Sequence, residues 1–279
     1  MPQVINTNMM SLNSQRSLNK SQQSMQTSLE RLSSGLRINR AKDDAAGLAI
    51  TERITSQVRG LEQAMRNAND GISLVQTAEG ALEEITSMLQ RMRELAVQSA
   101  NGTYNNSDRD SLDDEFQALA NEITRVTDVT EFNNINLLGQ NSTLSMQVGW
   151  ENGANNVIAI SIKNDLVSTS ASTGIGSALA GGISTVAKAG SAMAMIANAL
   201  EVVSSIRADF GAIQNRMESA IRNMENVVEN QSAARSRIQD ADFARETANL
   251  TRTQILQQAG TAMLAQANQL PQNVLSLLQ

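Results

Sequence analysis

The stretch from residue 196 to residue 241 constrains the fold more than any other part of the sequence. We counted residues from Ile196 to Ala241 at alternating intervals of three and four. Of the fourteen residues in this series, thirteen are apolar and only Gln231 is polar. Such a seam predicts one continuous helix that packs along another helix, as in a coiled coil. At 1.5 Å per residue the helix would be roughly 70 Å long. A seam of that length needs a partner of similar length to cover it.

A second long helix, predicted from about residue 44 to Ala100, supplies that partner. Every seventh position from Ile54 to Ala96 is apolar. A second set of apolar residues beside it also recurs every seven positions, but its register shifts by one residue after Ile72. That slip is typical of a nearly straight helix, whose 3.6-residue period drifts away from a strict heptad. The fold class predicted is therefore mostly α: an elongated bundle of long heptad-patterned helices. The residues expected in its core seam are Ile54, Leu61, Val75, Leu82, Leu89, Val203, Ile206, Phe210, Ile213 and Met217.

The remaining helices follow from capping and stop signals. A first helix, with a thin apolar stripe, is expected to end at Gly35, and Asp43 and Asp44 resemble the N-cap of the second helix. Ser107 with Asp110 three residues later predicts the start of a third helix. A last helix is predicted from about residue 242 to residue 278, and residues 253–279 of it contain no charged side chain.

Between the third helix and the 196–241 helix the pattern changes. Residues 130–142 are rich in turn formers, and apolar residues then alternate on both sides of Asn152-Gly153, which predicts one β-hairpin at about 143–162. Residues 167–190 are mostly Ser, Thr, Ala and Gly, which is typical of a flexible surface linker.

Composition excludes several classes of function. The chain has no cysteine and no histidine, so disulfides, thiolate metal sites and imidazole bases are excluded. Asp113, Asp114 and Glu115 are consecutive on a helix and are interpreted as a solvated face rather than a catalytic pair. An acidic middle between weakly basic ends argues against nucleic acid. The narrow stripes and Asn/Gln/Ser-rich polar faces argue against membrane insertion. No cofactor, no metal and no catalytic residue is expected.

Four segments carry a resemblance to a known family. The segments SLERLSSGLRINRAKDDAAGLAI (28–50), LQRMRELAVQSANGT (89–103) and IQDADFARETANLTRTQIL, with the ending VLSLLQ, resemble the terminal signatures of bacterial flagellin. The resemblance covers about residues 1–165 and 190–279. The short stretch 167–190 stands where flagellins usually carry outer domains. The resemblance implies a structural subunit, not an enzyme, that polymerises into the flagellar filament for swimming motility.

The resemblance also implies a domain organisation and a destination. Residues 1–43 and 237–279 would pair as a coiled-coil inner domain that forms the core tube. Residues 44–166 and 191–236 would form the bundle domain, and 167–190 a variable surface linker. The chain would leave the cell unfolded by the flagellar type III export route, which needs no signal peptide, and would reside in the extracellular filament. Residues expected to pack in the inner tube are Leu29, Leu32, Leu256, Met263 and Leu270.

Partners implied by the resemblance are other copies of the chain, an export chaperone, the filament cap and hook-junction proteins. A further one is the vertebrate innate receptor TLR5, whose contacts would fall on Arg91, Leu95 and Glu115. Because Leu95 is off the seven-spaced set, it is expected to face outward beside Arg91, on a surface that also serves subunit contacts. Candidate O-glycosylation sites in the linker are Ser168, Thr169, Ser170, Ser172 and Thr173.

Two alternatives stay open at this point. A hook–filament junction protein shares the terminal helices, although the matches at 28–50 and 89–103 favour flagellin. A free-standing coiled-coil adaptor would remain a soluble dimer and would form no polymer.

Overall fold

The computed structural model describes residues 7–139, 142–162, 176 and 181–276. Long helices dominate these residues, together with two small antiparallel strand pairs and one short 3-10 turn, so the predicted mostly-α class with a β-hairpin is confirmed. In chain order the elements are α1 (Met9–Ser34), α2 (Ala45–Ala100), α3 (Asn106–Val129), β1 (Glu131–Phe132), β2 (Ile135–Asn136), β3 (Ser142–Gln147), the 3-10 turn (Ala154–Asn156), β4 (Val157–Ile162), α4 (Val186–Gln239) and α5 (Phe243–Ser276).

The chain divides into two compact units. One, called here the terminal unit, comprises Met1–Val58 and Glu229–Gln279; the other, the bundle unit, comprises Arg59–Val228. The sequence pattern instead puts domain boundaries at 43/44 and 236/237. The domain assignment based on those boundaries stays a prediction.

A large apolar core holds most of the bundle unit together, and a second, smaller cluster is formed by Leu61, Ala64, Ala68 and Met224. The large core draws side chains from α2, α3, α4 and the strand segments, and its largest members have almost no exposed surface. Burying each of these side chains stabilises the fold by about 1.5–3 kcal/mol relative to leaving it exposed. The largest buried side chains are Phe116, Phe210, Leu82, Ile85, Leu89, Met92, Leu95, Ile123, Leu137, Leu138 and Ile160.

The predicted hairpin is formed by β3 and β4. They pair antiparallel from Ser142 opposite Ile162 to Gln147 opposite Val157, so the sequence places this element to within a residue. The Asn67 side chain donates to the Gln147 carbonyl at 3.1 Å and ties the end of β3 to α2.

A second, smaller hairpin lies in the segment expected only to be turn-rich. β1 and β2 are joined by Asn133 and Asn134, whose φ angles of 50° and 61° are both left-handed. That pair of angles is the one a type I′ turn requires, and asparagine adopts it more readily than most residues. The Asn136 side chain also donates to the carbonyls of Thr127 and Asp128, which lie at the end of α3.

The predicted cap of α3 was misplaced. The capping box is formed by Asn105 and Asp108, each side chain accepting a hydrogen bond from the other residue's backbone N–H, rather than by Ser107 and Asp110. Both pairs have the same three-residue spacing. Asn accepts at an N-cap as well as Ser does, so spacing alone did not separate them.

The predicted linker at 167–190 is wrong in its last residues. α4 begins at Val186, and Ile183 and Ala189 are buried in the core. The Thr185 hydroxyl accepts from the Lys188 backbone N–H, as an N-cap residue does, and the alanine-rich sequence that follows favours helix. Residues 167–175 and 177–180 of the predicted linker lie outside the described residues.

In the terminal unit α1 and α5 run antiparallel. The Asn8 amide donates to the Ala267 carbonyl at 2.7 Å, and Ser28 bonds to Glu246 near the other end of the pair. Gly35 ends α1 with a φ of 71°, which glycine adopts without steric cost. Leu36 then forms a β-bridge to Asp240, so the segments that follow α1 and precede α5 are joined through their backbones.

Among the described helices, α4 is long and apolar enough to cross a membrane by length and composition alone, with a mean hydropathy of 1.3 in its most apolar window. The sequence did not lead us to expect this. The buried residues on the same helix include Ile196, Ala199, Val203 and Phe210, all of which belong to the bundle core. Core helices pass the same test, so we interpret α4 as one.

Candidate functional site

The described residues offer surfaces rather than a reaction centre. They contain no group of three or more His, Cys, Asp or Glu side chains placed to hold a metal ion. The site of interest is therefore the set of helix faces that the fold leaves available for other chains. These faces occur on the terminal unit and on the bundle unit, and each is described separately.

The face that joins α1 to α5 is unusual because its fully buried positions are mostly small or polar, and larger apolar residues such as Leu18 are only half-buried there. The buried positions of α1 are Ser11 and Ser28, and those of α5 are Glu246, Thr253 and Ala267. At Gly260, an added Cβ would lie 3.2 Å from the Leu18 side chain, so the two helices approach closely there. We call this contact the serine seam, because Ser14 and Ser21 continue it at helical spacing on α1.

One buried polar cluster anchors the seam. The Glu246 carboxylate accepts from the Ser28 hydroxyl at 3.0 Å and from the Arg31 guanidinium at 3.2 Å. The Glu246 side chain is buried while Arg31 is partly exposed. A buried carboxylate needs such partners, because an unpaired one would lose its hydration without compensation. The sequence analysis did not find this cluster, since no hydrophobic pattern marks it.

The same helices also expose large apolar side chains outside this contact. Exposed on α1 and α5 are Met9, Met10, Leu12, Leu29, Phe243, Ile255, Leu256 and Met263. Met263 is 64 % exposed, although it lies within a helix that has no charged residue after Arg252. Large apolar side chains exposed along one pair of helices indicate an interaction surface.

The residues predicted to pack in the inner tube lie mostly on this exposed face. Leu29, Leu256 and Met263 are exposed, whereas Leu32 is half-buried. The Leu270 side chain lies outside the described set. Their packing between copies stays a prediction.

On the bundle unit, Arg91 of α2 and Glu115 of α3 lie together and form an ion pair. Arg91 donates to Glu115 from Nε at 3.0 Å and from Nη2 at 2.9 Å, and its Nη1 donates to Glu94 at 3.0 Å. The hydrogen bond to Glu115 is the largest cause of a raised pKa for Arg91, followed by that to Glu94. The three side chains are about half-exposed and form a charged surface patch.

The expectation that Leu95 faces outward beside this patch is wrong. Leu95 is only 1 % exposed and belongs to the bundle core. α2 buries two adjacent stripes in this region, because α3 and α4 both contribute to the same core. Leu95 is outside the stripe whose apolar residues recur every seven positions, and it can therefore lie in the second stripe.

Of the ten residues predicted for the core seam, seven are buried. Ile54, Ile206 and Ile213 are half-buried, and the last two pack against the core of the bundle unit. The seven buried residues are Leu61, Val75, Leu82, Leu89, Val203, Phe210 and Met217. The candidate O-glycosylation residues Ser168, Thr169, Ser170, Ser172 and Thr173 all lie outside the described residues.

A second polar contact, which the sequence did not indicate, holds the chain at Ile183, just before α4 begins. The Ser99 hydroxyl donates to the Ile183 carbonyl at 2.6 Å, and the Asp113 carboxylate accepts from the Ile183 N–H. Asp113 was interpreted as part of a solvated face, and it is instead half-buried in this contact. Beside it, buried Arg109 donates to the carbonyls of Ser99 and Asn101 at the end of α2.

The fold and these surfaces define a structural protein that associates through helices. Family models agree with that class: the bacterial flagellin N-terminal helical region matches residues 5–143, and the C-terminal helical region matches residues 193–278. A flagellin of Halalkalibacterium halodurans is 50 % identical, covering 99 % of this chain and all of the relative. Flagellin FlaB2 of Treponema pallidum is 42 % identical, with 99 % and 100 % coverage.

Among solved structures, one attributed to a flagellar hook-associated protein of Vibrio parahaemolyticus gives a TM-score of 0.57 at 11 % identity, covering 71 % of this chain and 99 % of that one. At that identity the similarity shows a shared fold alone. The whole-length relatives decide the family: the chain belongs to the bacterial flagellins. It is a structural subunit, not an enzyme, that is exported and polymerises into the extracellular flagellar filament.

Proposed function

We propose that the terminal unit is the part of the subunit that builds the innermost layer of the filament. In this proposal residues 1–43 and 237–279 form the inner domain, residues 44–166 and 191–236 form the surrounding bundle domain, and the stretch from 167 forms a variable surface segment that ends before α4. The exposed apolar faces of α1 and α5 would then pack against neighbouring copies, with Leu29, Leu256 and Met263 in those contacts.

The observation that carries this proposal is the exposed apolar surface of the α1–α5 pair. The contact within the chain fully buries Ser11, Ser28 and Thr253 and half-buries apolar residues such as Leu18, whereas other large apolar side chains, such as Met263, remain exposed. Burying apolar surface is worth about 25 cal/mol per Å². The strongest available contacts of this pair are therefore those it makes with other chains. In an assembly where each terminal unit is surrounded by others, the α1–α5 contact within the chain is kept and the exposed apolar side chains are buried against neighbouring copies.

Elongation of filament seeds by purified subunit tests the proposal. We expect the double substitution Leu256→Asn and Met263→Asn to raise the critical concentration by more than tenfold while leaving the helical content of the free subunit unchanged. A matched control is Gln258→Asn with Thr261→Asn, which alters two exposed polar positions on the same helix. Equal elongation by both variants would remove the apolar face from assembly.

Specific partners beyond the homopolymer are also proposals. By family resemblance these are a flagellar export chaperone, the filament cap and hook-junction proteins. For the vertebrate innate receptor TLR5, we propose contact through the charged patch of Arg91 and Glu115, with no direct contribution from Leu95. The support is that both charged side chains are about half-exposed and joined by two hydrogen bonds.

Receptor-bearing reporter cells separate these roles. Depolymerised wild-type subunit should activate the receptor, and Arg91→Ala should reduce potency without loss of fold. A control on the same helix is Gln90→Ala, which alters the exposed neighbour of Arg91 and leaves the Arg91–Glu115 pair intact. Full potency of Arg91→Ala, or a silent wild-type subunit, would confine the patch to contacts between subunits.

A further inference from the structure

The only tryptophan of the chain lies on the surface of the bundle unit. Trp150 is 44 % exposed in the loop that joins β3 to β4, which we call the hairpin tip (residues 148–156). The chain has only six aromatic residues in 279, so an exposed indole is conspicuous in its composition. Tryptophan is enriched among the residues that dominate binding energy at protein interfaces.

The hairpin tip is held in a fixed position. A Cβ added at Gly60 of α2 would lie 2.8 Å from the Trp150 Cβ, so the tip rests directly on the helix where that helix has no side chain. Within the tip, the Gln147 amide donates to the carbonyls of Gly149 and Glu151, and the Asn156 amide donates to that of Glu151. The indole is thus presented by an ordered loop, which lowers the entropy lost on binding.

A groove that could receive this indole lies elsewhere on the same unit, between α2 and α4. Its volume is about 540 Å³. Val97, which is 55 % exposed, and half-buried Leu200 provide apolar surface. Arg93 is exposed at the groove and forms no ion pair with any described residue. The full lining is Gln90, Arg93, Glu94, Val97, Gln98 and Leu200, which we call the α2–α4 groove.

Three features indicate that the occupant is a second copy of this chain. Open polymers need two different patches on each subunit that fit one another, and the tip and the groove are two such patches. The charges match, because exposed Glu151 follows Trp150 and exposed Arg93 lines the groove. The guanidinium is also suited to lie against an indole face.

The spacing of the two patches adds a geometric requirement. Gly60, under the hairpin tip, and Val97, in the groove, belong to one helix and are thirty-seven residues apart. At 1.5 Å per residue this separation is about 55 Å. Copies that are held parallel and joined through these patches would be displaced by about that distance along the helix.

We propose that Trp150 of one subunit inserts into the α2–α4 groove of the next subunit, with Glu151 paired to Arg93, and that this contact connects successive copies in the filament. The inference uses the polymerisation that the family establishes; it is independent of the inner-domain and receptor proposals. Its failure is distinguishable from theirs, because cross-linking and fluorescence are both measured on filaments that have formed.

Cross-linking gives the direct test. Because the chain has no cysteine, the double variant Trp150→Cys with Val97→Cys places two unique thiols. Filaments of this variant, treated with a short bismaleimide, should give a ladder of covalent multimers. The matched control is Trp150→Cys with Val129→Cys, since Val129 is exposed to 60 % on α3 and lies outside the groove. A ladder from the control alone, or from neither variant, would overturn the proposal.

Fluorescence and assembly give a second test that needs no cross-linker. All tryptophan emission comes from Trp150, so wild-type emission should shift to shorter wavelength and resist iodide quenching on polymerisation. Trp150→Ala should raise the critical concentration by about tenfold, as expected for an interface anchor. Val97→Glu should do the same, whereas Val129→Glu should not. Filaments with unshifted, fully quenchable emission would show that the indole contacts no neighbour.

Discussion

The two units of this flagellin subunit differ in how completely they bury their large apolar side chains. In the bundle unit the contacts between helices are made by residues such as Leu82, Phe116 and Phe210, all within a continuous apolar core. In the terminal unit the fully buried positions of the α1–α5 contact include Ser28 and Thr253, apolar residues such as Leu18 are only half-buried there, and others such as Met263 are exposed. The first arrangement is stable within one chain. The second leaves most of its apolar surface for contacts with other chains.

The difference shows how one helical pattern serves two purposes. A buried apolar seam offsets the conformational entropy lost when long helices are ordered, about 1–2 kcal/mol per residue for the backbone. A seam of serine and threonine contributes far less, because its hydroxyls exchange bonds to water for bonds within the protein at little net gain. We therefore expect the bundle unit to be ordered in the free subunit. The terminal helices should become ordered only in the filament.

The largest expected effect is the loss of a core side chain from the bundle unit. Phe116→Ala removes a fully buried ring and should lower the free energy of unfolding of the free subunit by about 3–5 kcal/mol. Urea denaturation followed by circular dichroism measures it. Val129→Ala, on the same helix but exposed, is the control and should cost little. A small effect at Phe116 would mean that the bundle unit is not the stable part of the chain.

The next effect concerns the polar anchor of the terminal unit. Glu246→Ala leaves Ser28 and Arg31 without their shared acceptor and should weaken the α1–α5 pair by about 1–3 kcal/mol. The readout is hydrogen exchange of α1 within assembled filaments, which should become faster. Glu246→Gln keeps an acceptor for Ser28 and should lie between wild type and the alanine variant. Unaltered exchange in Glu246→Ala would mean that neighbouring copies alone hold α1 in place.

A third variant should make the terminal unit resemble the bundle unit. Ser14→Leu with Ser21→Leu adds apolar side chains at two half-buried seam positions and should stabilise the pair by about 1 kcal/mol per site. Hydrogen exchange of α1 in the free subunit should then slow relative to wild type. The control, Ser24→Leu, alters an exposed position of the same helix. If wild-type α1 already exchanges slowly in the free subunit, the contrast between the two units is wrong.

The smallest effect is expected at the charged patch. Arg91→Gln removes an ion pair whose partners are both about half-exposed, and surface pairs of this kind contribute little to stability. The thermal midpoint of the free subunit should remain within measurement error at low and at high salt. A clear drop would show that the pair supports the packing of α3 on α2 in addition to any contact with a partner.

The sequence predicted the bundle unit well because burial there follows hydrophobic periodicity. The α4 seam and the β3–β4 hairpin were located from the spacing of apolar residues alone. Leu95 was misplaced because one stripe was considered where two helices pack on α2. The heptad rule describes a two-helix contact, and a helix packed on two sides needs a wider apolar face.

The terminal unit was predicted less well for a different reason. Its apolar stripe at Leu256 and Met263 was identified, but the face that contacts α1 follows Glu246, Thr253, Gly260 and Ala267, which have no common hydrophobicity. What these positions share is small size or a hydrogen-bonding partner on the facing helix. Neither property can be recognised from the sequence of α5 without knowing that α1 is the helix that packs against it.

The contact of Ser99 and Asp113 with Ile183 has a consequence for how such chains diversify. The chain leaves the ordered hairpin at Ile162, and both backbone groups of Ile183 are held by side chains of the bundle before α4 begins. Because Ile162 and Ile183 are both fixed, the number of residues between them can change without altering how the core packs. Closing a longer stretch between them costs little, because the entropy of closure rises only with the logarithm of length. Descendants of one bundle can thus gain or lose sequence between these two points without refolding the bundle core.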